Sequence, residues 1–110
     1  MMRMPLSEAA CALLRALLAR AGVSRDRILL SEFRSTDWQS LTFIGERHHI
    51  HLRIPGPDAD AIALRMTADL ADVEFAIPGH VVADIVLAAP VRRDSDGSIS
   101  VELEALTIAD

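Results

Sequence analysis

From Arg47 to Ile54 the chain reads Arg-His-His-Ile-His-Leu-Arg-Ile, with His48, Ile50, Leu52 and Ile54 on one parity and Arg47, His49, His51 and Arg53 on the other. Side chains alternate across a strand, so such a segment is satisfied only with one face in a core and the other in water. A sheet built from strands of this kind is antiparallel and covered on one side. The cover has to come from elsewhere in the chain.

Two stretches carry the helical period that a cover needs. After Pro5 and Ser7 the chain runs with few breakers to Gly22, giving a capped start and a glycine stop for a helix of about four turns. Ala10, Leu13, Leu14, Leu17, Leu18 and Ala21 form one stripe with Cys11 at its border, and Ala9, Ala12, Ala16 and Ala19 make a smooth second face. Glu8 and Arg15 interrupt the apolar run, so it is expected to be a helix of the mature fold rather than a targeting or membrane-spanning segment. Pro57 is preset for the first turn of a second helix reaching about Ala71, with Ala59, Ile62, Ala63, Met66 and Leu70 inward.

The remaining runs are β-type. RILLSEFRS, QSLTFI and RHHIHLRI follow the first helix, divided at Thr36-Asp37 and Gly45-Glu46; DVEFAI, HVVADIVLAAPVRR and SISVELEALTI follow the second, divided at Pro78-Gly79 and Asp94-Ser95-Asp96-Gly97. In the last run Ile99, Val101, Leu103 and Ala105 alternate with Ser100, Glu102 and Glu104, and Leu106 and Ile108 then change parity, which predicts a bulge near Ala105. The expected fold is a single α+β domain over residues 1–110, in the order α-βββ-α-βββ. Two helices pack on one face of an antiparallel sheet of about six strands. Glu32-Phe33 and Glu74-Phe75 open the two halves alike, which suggests a repeated architecture.

Charge narrows the partners. The chain carries a formal charge of -5 and no lysine; residues 1–56 hold eight Arg against five acids, and residues 57–110 three Arg against eleven. The halves are therefore complementary, within one fold or across a dimer. A net acidic protein lacks the cationic surplus that phosphate backbones demand, and four aromatic side chains are too few for base stacking, so no nucleic-acid partner is expected. Cys11 is the only cysteine, which excludes an internal disulfide and favours a reducing, cytoplasmic setting.

Candidate chemistry gathers on the polar face of the histidine strand. Arg47, His49, His51 and Arg53 could receive an anionic ligand or an acidic partner surface, because guanidinium groups bind carboxylates bidentately and histidine titrates near neutral pH. Alternatively His49 and His51, about 7 Å apart along the strand, could hold zinc, with a third ligand from Glu102, Glu104 or His80. The two arginines on the same face oppose a cation. At Pro55-Gly56-Pro57-Asp58 a helix start offers free N–H groups, but Asp58 and Asp60 fill that positive end and no phosphate-binding glycine pattern exists. Cys11 sits among Ala and Leu as a structural thiol, and no serine lies in a nucleophile elbow. Trp38, beside the first expected turn, is either a lid on one end of the sheet or an interface anchor.

The expected function is that of a small self-associating cytoplasmic binding module, most simply a homodimer, that takes a protein partner or a small anionic ligand and has no membrane association. Dimerisation is expected through the alanine face of the first helix or, preferably, through long strands at about His80 to Arg92 and Ser98 to Ile108. The alternative is a zinc-assisted hydrolase or lyase using His49 and His51.

Overall fold

A computed structural model describes residues 6–110, so Pro5, part of the expected helix start, lies outside the described residues. Helix α1 (Glu8–Ala19) begins at Ser7, whose hydroxyl accepts the Ala10 N–H at 3.1 Å and donates to Glu46 Oε1 at 2.7 Å. One serine therefore caps the helix and ties its first turn to the sheet. Past Arg20 the chain reverses at Gly22, whose φ of 71° is left-handed and suits glycine.

Helix α2 (Ala59–Thr67) is shorter than the sequence predicts. Ala68 is extended and Asp69 left-handed, and a 3-10 turn over Leu70–Asp72 then returns Leu70 to the core. The early stop has a cause in Arg20, whose guanidinium donates to the carbonyls of Met66 at 3.1 Å, Arg65 at 3.4 Å and Ala68. Arg65 reciprocates, with Nε donating to the Ala21 carbonyl at 2.8 Å. Each helix thus supplies the cation for the other's C-terminal end, where the dipole is negative. Asp58 does not cap α2 with its side chain; it accepts Arg27 Nη2 at 2.5 Å instead.

The strands are β1 (Leu29–Gln39), β2 (Ile44–Ile54), β3 (Ala76–Ile77), β4 (His80–Leu87), β5 (Arg92–Arg93) and β6 (Ile99–Ala109). They form one antiparallel six-stranded sheet in the order β1-β2-β6-β4-β3, with β5 pairing β6 beyond the end of β4. This is the expected α+β class, two helices on a six-stranded antiparallel sheet. The six strands divide two and four between the halves, so the similar Glu-Phe openings do not mark equivalent units. Ile50, Leu52 and Ile54 of β2 and Ile99, Val101, Leu103 and Ala105 of β6 meet Leu13, Leu17, Ile62 and Met66 of the helices in one core. Among the described residues no helix is long and apolar enough to cross a membrane.

Three local expectations are corrected by the sheet. Thr36-Asp37 and Gly45-Glu46 lie inside strands, and the first hairpin turns instead at Ser40–Phe43, where the Ser40 N–H donates to the Phe43 carbonyl at 2.8 Å. Trp38 is accordingly a half-buried strand residue directly opposite Gly45. The parity change at Leu106 is not a bulge in β6, whose pairing with β2 is unbroken; the register shift lies in β4, between Val82 and Asp84. Thr107 instead takes the buried position, and Leu106 and Ile108 fall on the face turned away from the helices. Finally, β6 is flanked by β2 on one side and by β4 and β5 on the other, so it has no edge to offer a second chain.

Gly45 is required by proximity and not by a turn. A Cβ there would come far inside van der Waals contact distance of the Thr107 carbonyl oxygen, within the central β2–β6 ladder. Replacing Gly45 with Ala is expected to destabilise the fold by about 3 kcal/mol or more, measured as a shifted urea midpoint.

Candidate functional site

The face of the sheet turned away from the helices is built by the registers of three strands. Arg34 on β1 stands opposite His49 on β2, which stands opposite Glu104 on β6; the next row is Glu32, His51 and Glu102, and on the other side Thr36, Arg47 and Leu106. Side chains on one face of paired strands interact directly and along diagonals. His49 consequently sits among three carboxylates, with Nε2 at 3.8 Å from Glu32 and 3.9 Å from Glu102, and Nδ1 at 3.8 Å from Glu104. Those separations are electrostatic contacts, too long for direct hydrogen bonds.

The four residues singled out in the sequence share this face but separate into different roles. Arg47 and His49 line a cleft of about 250 Å³ with Arg34, Thr36 and Glu104. Arg34 is partly engaged, its Nε donating to Glu32 at 2.9 Å, whereas Arg47 makes no ion pair among the described residues. Arg53 is taken up at the far end, where its guanidinium donates to Ser98 Oγ at 3.0 Å and to Asp96, and lies 3.8 Å from Asp94. His51 Nε2 is buried without a hydrogen-bond partner among the described residues. Only Arg47 and His49 therefore face the cleft.

The three side chains named as third metal ligands fall in different places. Pairing of β6 beside β2 does bring Glu104 opposite His49 and Glu102 opposite His51. Glu102 is also the acceptor of Arg92 Nη1 at 3.2 Å. His80 is elsewhere, in a second cleft of about 350 Å³ with Trp38, Ile44 and Glu46. Among the described residues no three His, Cys, Asp or Glu side chains have the arrangement of a metal site. Cys11 is exposed, contrary to the structural reading, with only a long contact to the Leu6 carbonyl at 3.9 Å.

Sequence reasoning missed Glu32, Arg34 and Thr36. Glu32 and Arg34 share parity in one run, but Thr36 reads locally as a turn, and the strand that pairs with all three is set only by the sheet.

On the covered face His48 is buried and bridges three strands. Its Nδ1 meets Ser35 Oγ of β1 at 2.7 Å and its Nε2 meets Thr107 Oγ1 of β6 at 2.8 Å, while Phe33 packs edge-on at 5.7 Å. A neutral ring is fully satisfied here, because one hydroxyl donates to the bare nitrogen and the other accepts from the N–H. No protein-family model matches the chain, and no curated protein or solved structure is significantly similar to it.

Burial holds the His48 imidazole below its ordinary value of 6.5; the Glu46 carboxylate acts against this and His80 adds to it. The unfolded chain therefore binds the proton first as pH falls. Stability is full above 6.5 and declines below it, by at most about 1.4 kcal/mol per pH unit, until the folded value is reached. Asp58, Asp94 and Asp96 are held below the usual carboxylate value of 3.8, first by Arg27, the Ser100 hydroxyl and the Ser98 hydroxyl respectively, so their contributions are lost only at lower pH. Urea midpoints should fall from pH 7 to pH 5, and His48→Gln should flatten that dependence.

Proposed function

We propose that the protein is a non-enzymatic, self-associating binding module that holds a small anion, or the acidic group of a protein partner, through Arg47 and His49 on its open sheet face. The observation that carries this reading is the Arg47 guanidinium, without an ion pair among the described residues, lining one cleft with His49 and the Thr36 hydroxyl. An unneutralised guanidinium beside a hydroxyl and an imidazole offers the fork of donors that carboxylate and phosphate oxygens take up. Glu104 at the same cleft disfavours a highly charged ligand and suits a single acidic group. The lone thiol, with no disulfide partner in the sequence, fits a reducing, cytoplasmic setting.

A zinc-assisted hydrolase or lyase is the alternative, supported by the carboxylates around His49, with His49 and His51 as ligands and a glutamate as base. One set of measurements separates the two. Inorganic phosphate and succinate, titrated separately into labelled protein, should shift the amide resonances of Arg47, His49 and Thr36, and Arg47→Ala should weaken that binding at least tenfold. Unmoved resonances with both probes would remove the anion reading. A native mass increment of one zinc per chain, lost in His49→Ala, would replace it with the metal one.

A further inference from the structure

We propose that the outer edge of β1 pairs with the same edge of a second copy, antiparallel about a two-fold axis through Phe33, so that two sheets become one. This rests on the self-association proposed above and gives it a surface and a register.

β1 ends the sheet, bonded to β2 along one side, and no other described strand lies along its other side. An unpaired edge of eleven residues presents a row of free N–H and C=O groups. Edges are normally blunted with charged side chains, lysine above all, or by proline, a bulge, extreme shortness or a covering element. The opposite edge is managed in this way: β3 has two residues and is followed by Pro78, β4 carries a register shift, and the Leu70–Asp72 turn packs beside β4. β1 contains neither lysine nor proline, its one register shift lies near its start between Leu30 and Glu32, and the charges on its open face, Glu32 and Arg34, are of opposite sign. Leu29 and Leu30, at 51% and 44% exposure, extend the same edge with apolar surface.

Charge selects the register. A two-fold axis normal to the sheet preserves the side-chain face, so each residue must oppose one of the same parity and the axis must pass through a residue position. An axis at Glu32 sets two carboxylates against each other, and one at Arg34 sets two guanidinium groups together. At Phe33, Glu32 opposes Arg34 of the second copy and Arg34 opposes its Glu32, while the two Phe33 rings meet on the covered face. Both charges are available, with side-chain exposures of 47% for Glu32 and 69% for Arg34, and they already pair within the chain at 2.9 Å. The same two residues that neutralise each other in one copy thus do so across two. Beyond Glu32 the register shift at Ser31 ends the regular pairing, and the Leu29 to Ser31 segment that centring on Phe33 brings alongside Ser35 to Asp37 of the second copy carries no charge.

The experiment is sedimentation equilibrium on the full chain, with Glu32→Arg, Arg34→Glu and the double exchange, each checked for folding by its thermal melt. The wild type should be a dimer. Each single change places like charges opposite one another twice and should raise the dissociation constant about tenfold; the double exchange restores opposite charges and should restore the dimer. A dimer indifferent to the single changes, or one the double exchange fails to rescue, overturns the β1 pairing and leaves self-association standing. A wild type that stays monomeric at high concentration overturns both.

Discussion

The register of β6 against β2 is the constraint on which the rest of the molecule depends. Ten residue pairs run unbroken from Gly45–Ile108 to Ile54–Ile99, and a slip of one would turn every side chain of β6 to the opposite face. Gly45 admits only a close approach of the Thr107 backbone, and His48 links Ser35 and Thr107 through its two nitrogens, so three strands are locked at one level. The core follows from that lock, because Leu52 then meets Val101, and Ile50 meets Leu103, beneath the helices. The polar face follows too, since the same alignment sets His49 against Glu104 and His51 against Glu102.

Arginine does most of the electrostatic work in a chain with no lysine. Arg20 and Arg65 close helix ends by donating to carbonyls, a use that suits the several N–H groups of one guanidinium. Arg53 and Arg92 organise the Asp94–Gly97 turn, and Arg27 and Arg93 bridge to Asp58 and Asp60 at the start of α2. Arg27 and Arg53 come from the basic half and their acids from the acidic half, so part of the charge imbalance along the sequence is cancelled inside one fold. Among the described residues Arg15, Arg25 and Arg47 have no acid partner, and of these three only Arg47 lines a cleft with His49 and Thr36.

The two ends of the sheet are finished differently, and the difference bears on what the molecule can join. At one end the strands become short, shifted and flanked by a helical turn; at the other a long hairpin presents a regular edge and an apolar tip at Leu41, Phe43 and Ile44. Burying backbone donors without partners is costly, so a regular edge is stable beside water or beside another strand. A polar face with a cleft and a bare edge beside it are adjacent features of the same hairpin. Self-association and ligand binding, as proposed, would therefore share β1.

How much of this was written in the sequence can be seen strand by strand. The alternation from Arg47 to Ile54 determined which histidine would join the core and which would lie on the opposite face, because side chains alternate along a strand. The helix stripes at Leu13, Leu17, Ile62 and Met66 likewise determined their inward faces, and with them the α+β class. Turn positions were less legible: Gly45 and Thr36-Asp37 resemble breaks locally, yet they lie within long strands whose pairing overrides that local preference. The apolar Leu106 looked like a parity error only because buried Thr107 has its hydroxyl satisfied by His48, a partner far away along the chain. Strand order, the company of His49, the engagement of Arg53 and the bare side of β1 belong to the tertiary structure alone. Each depends on which strand lies beside which, and local periodicity fixes the face of a residue without fixing its neighbour.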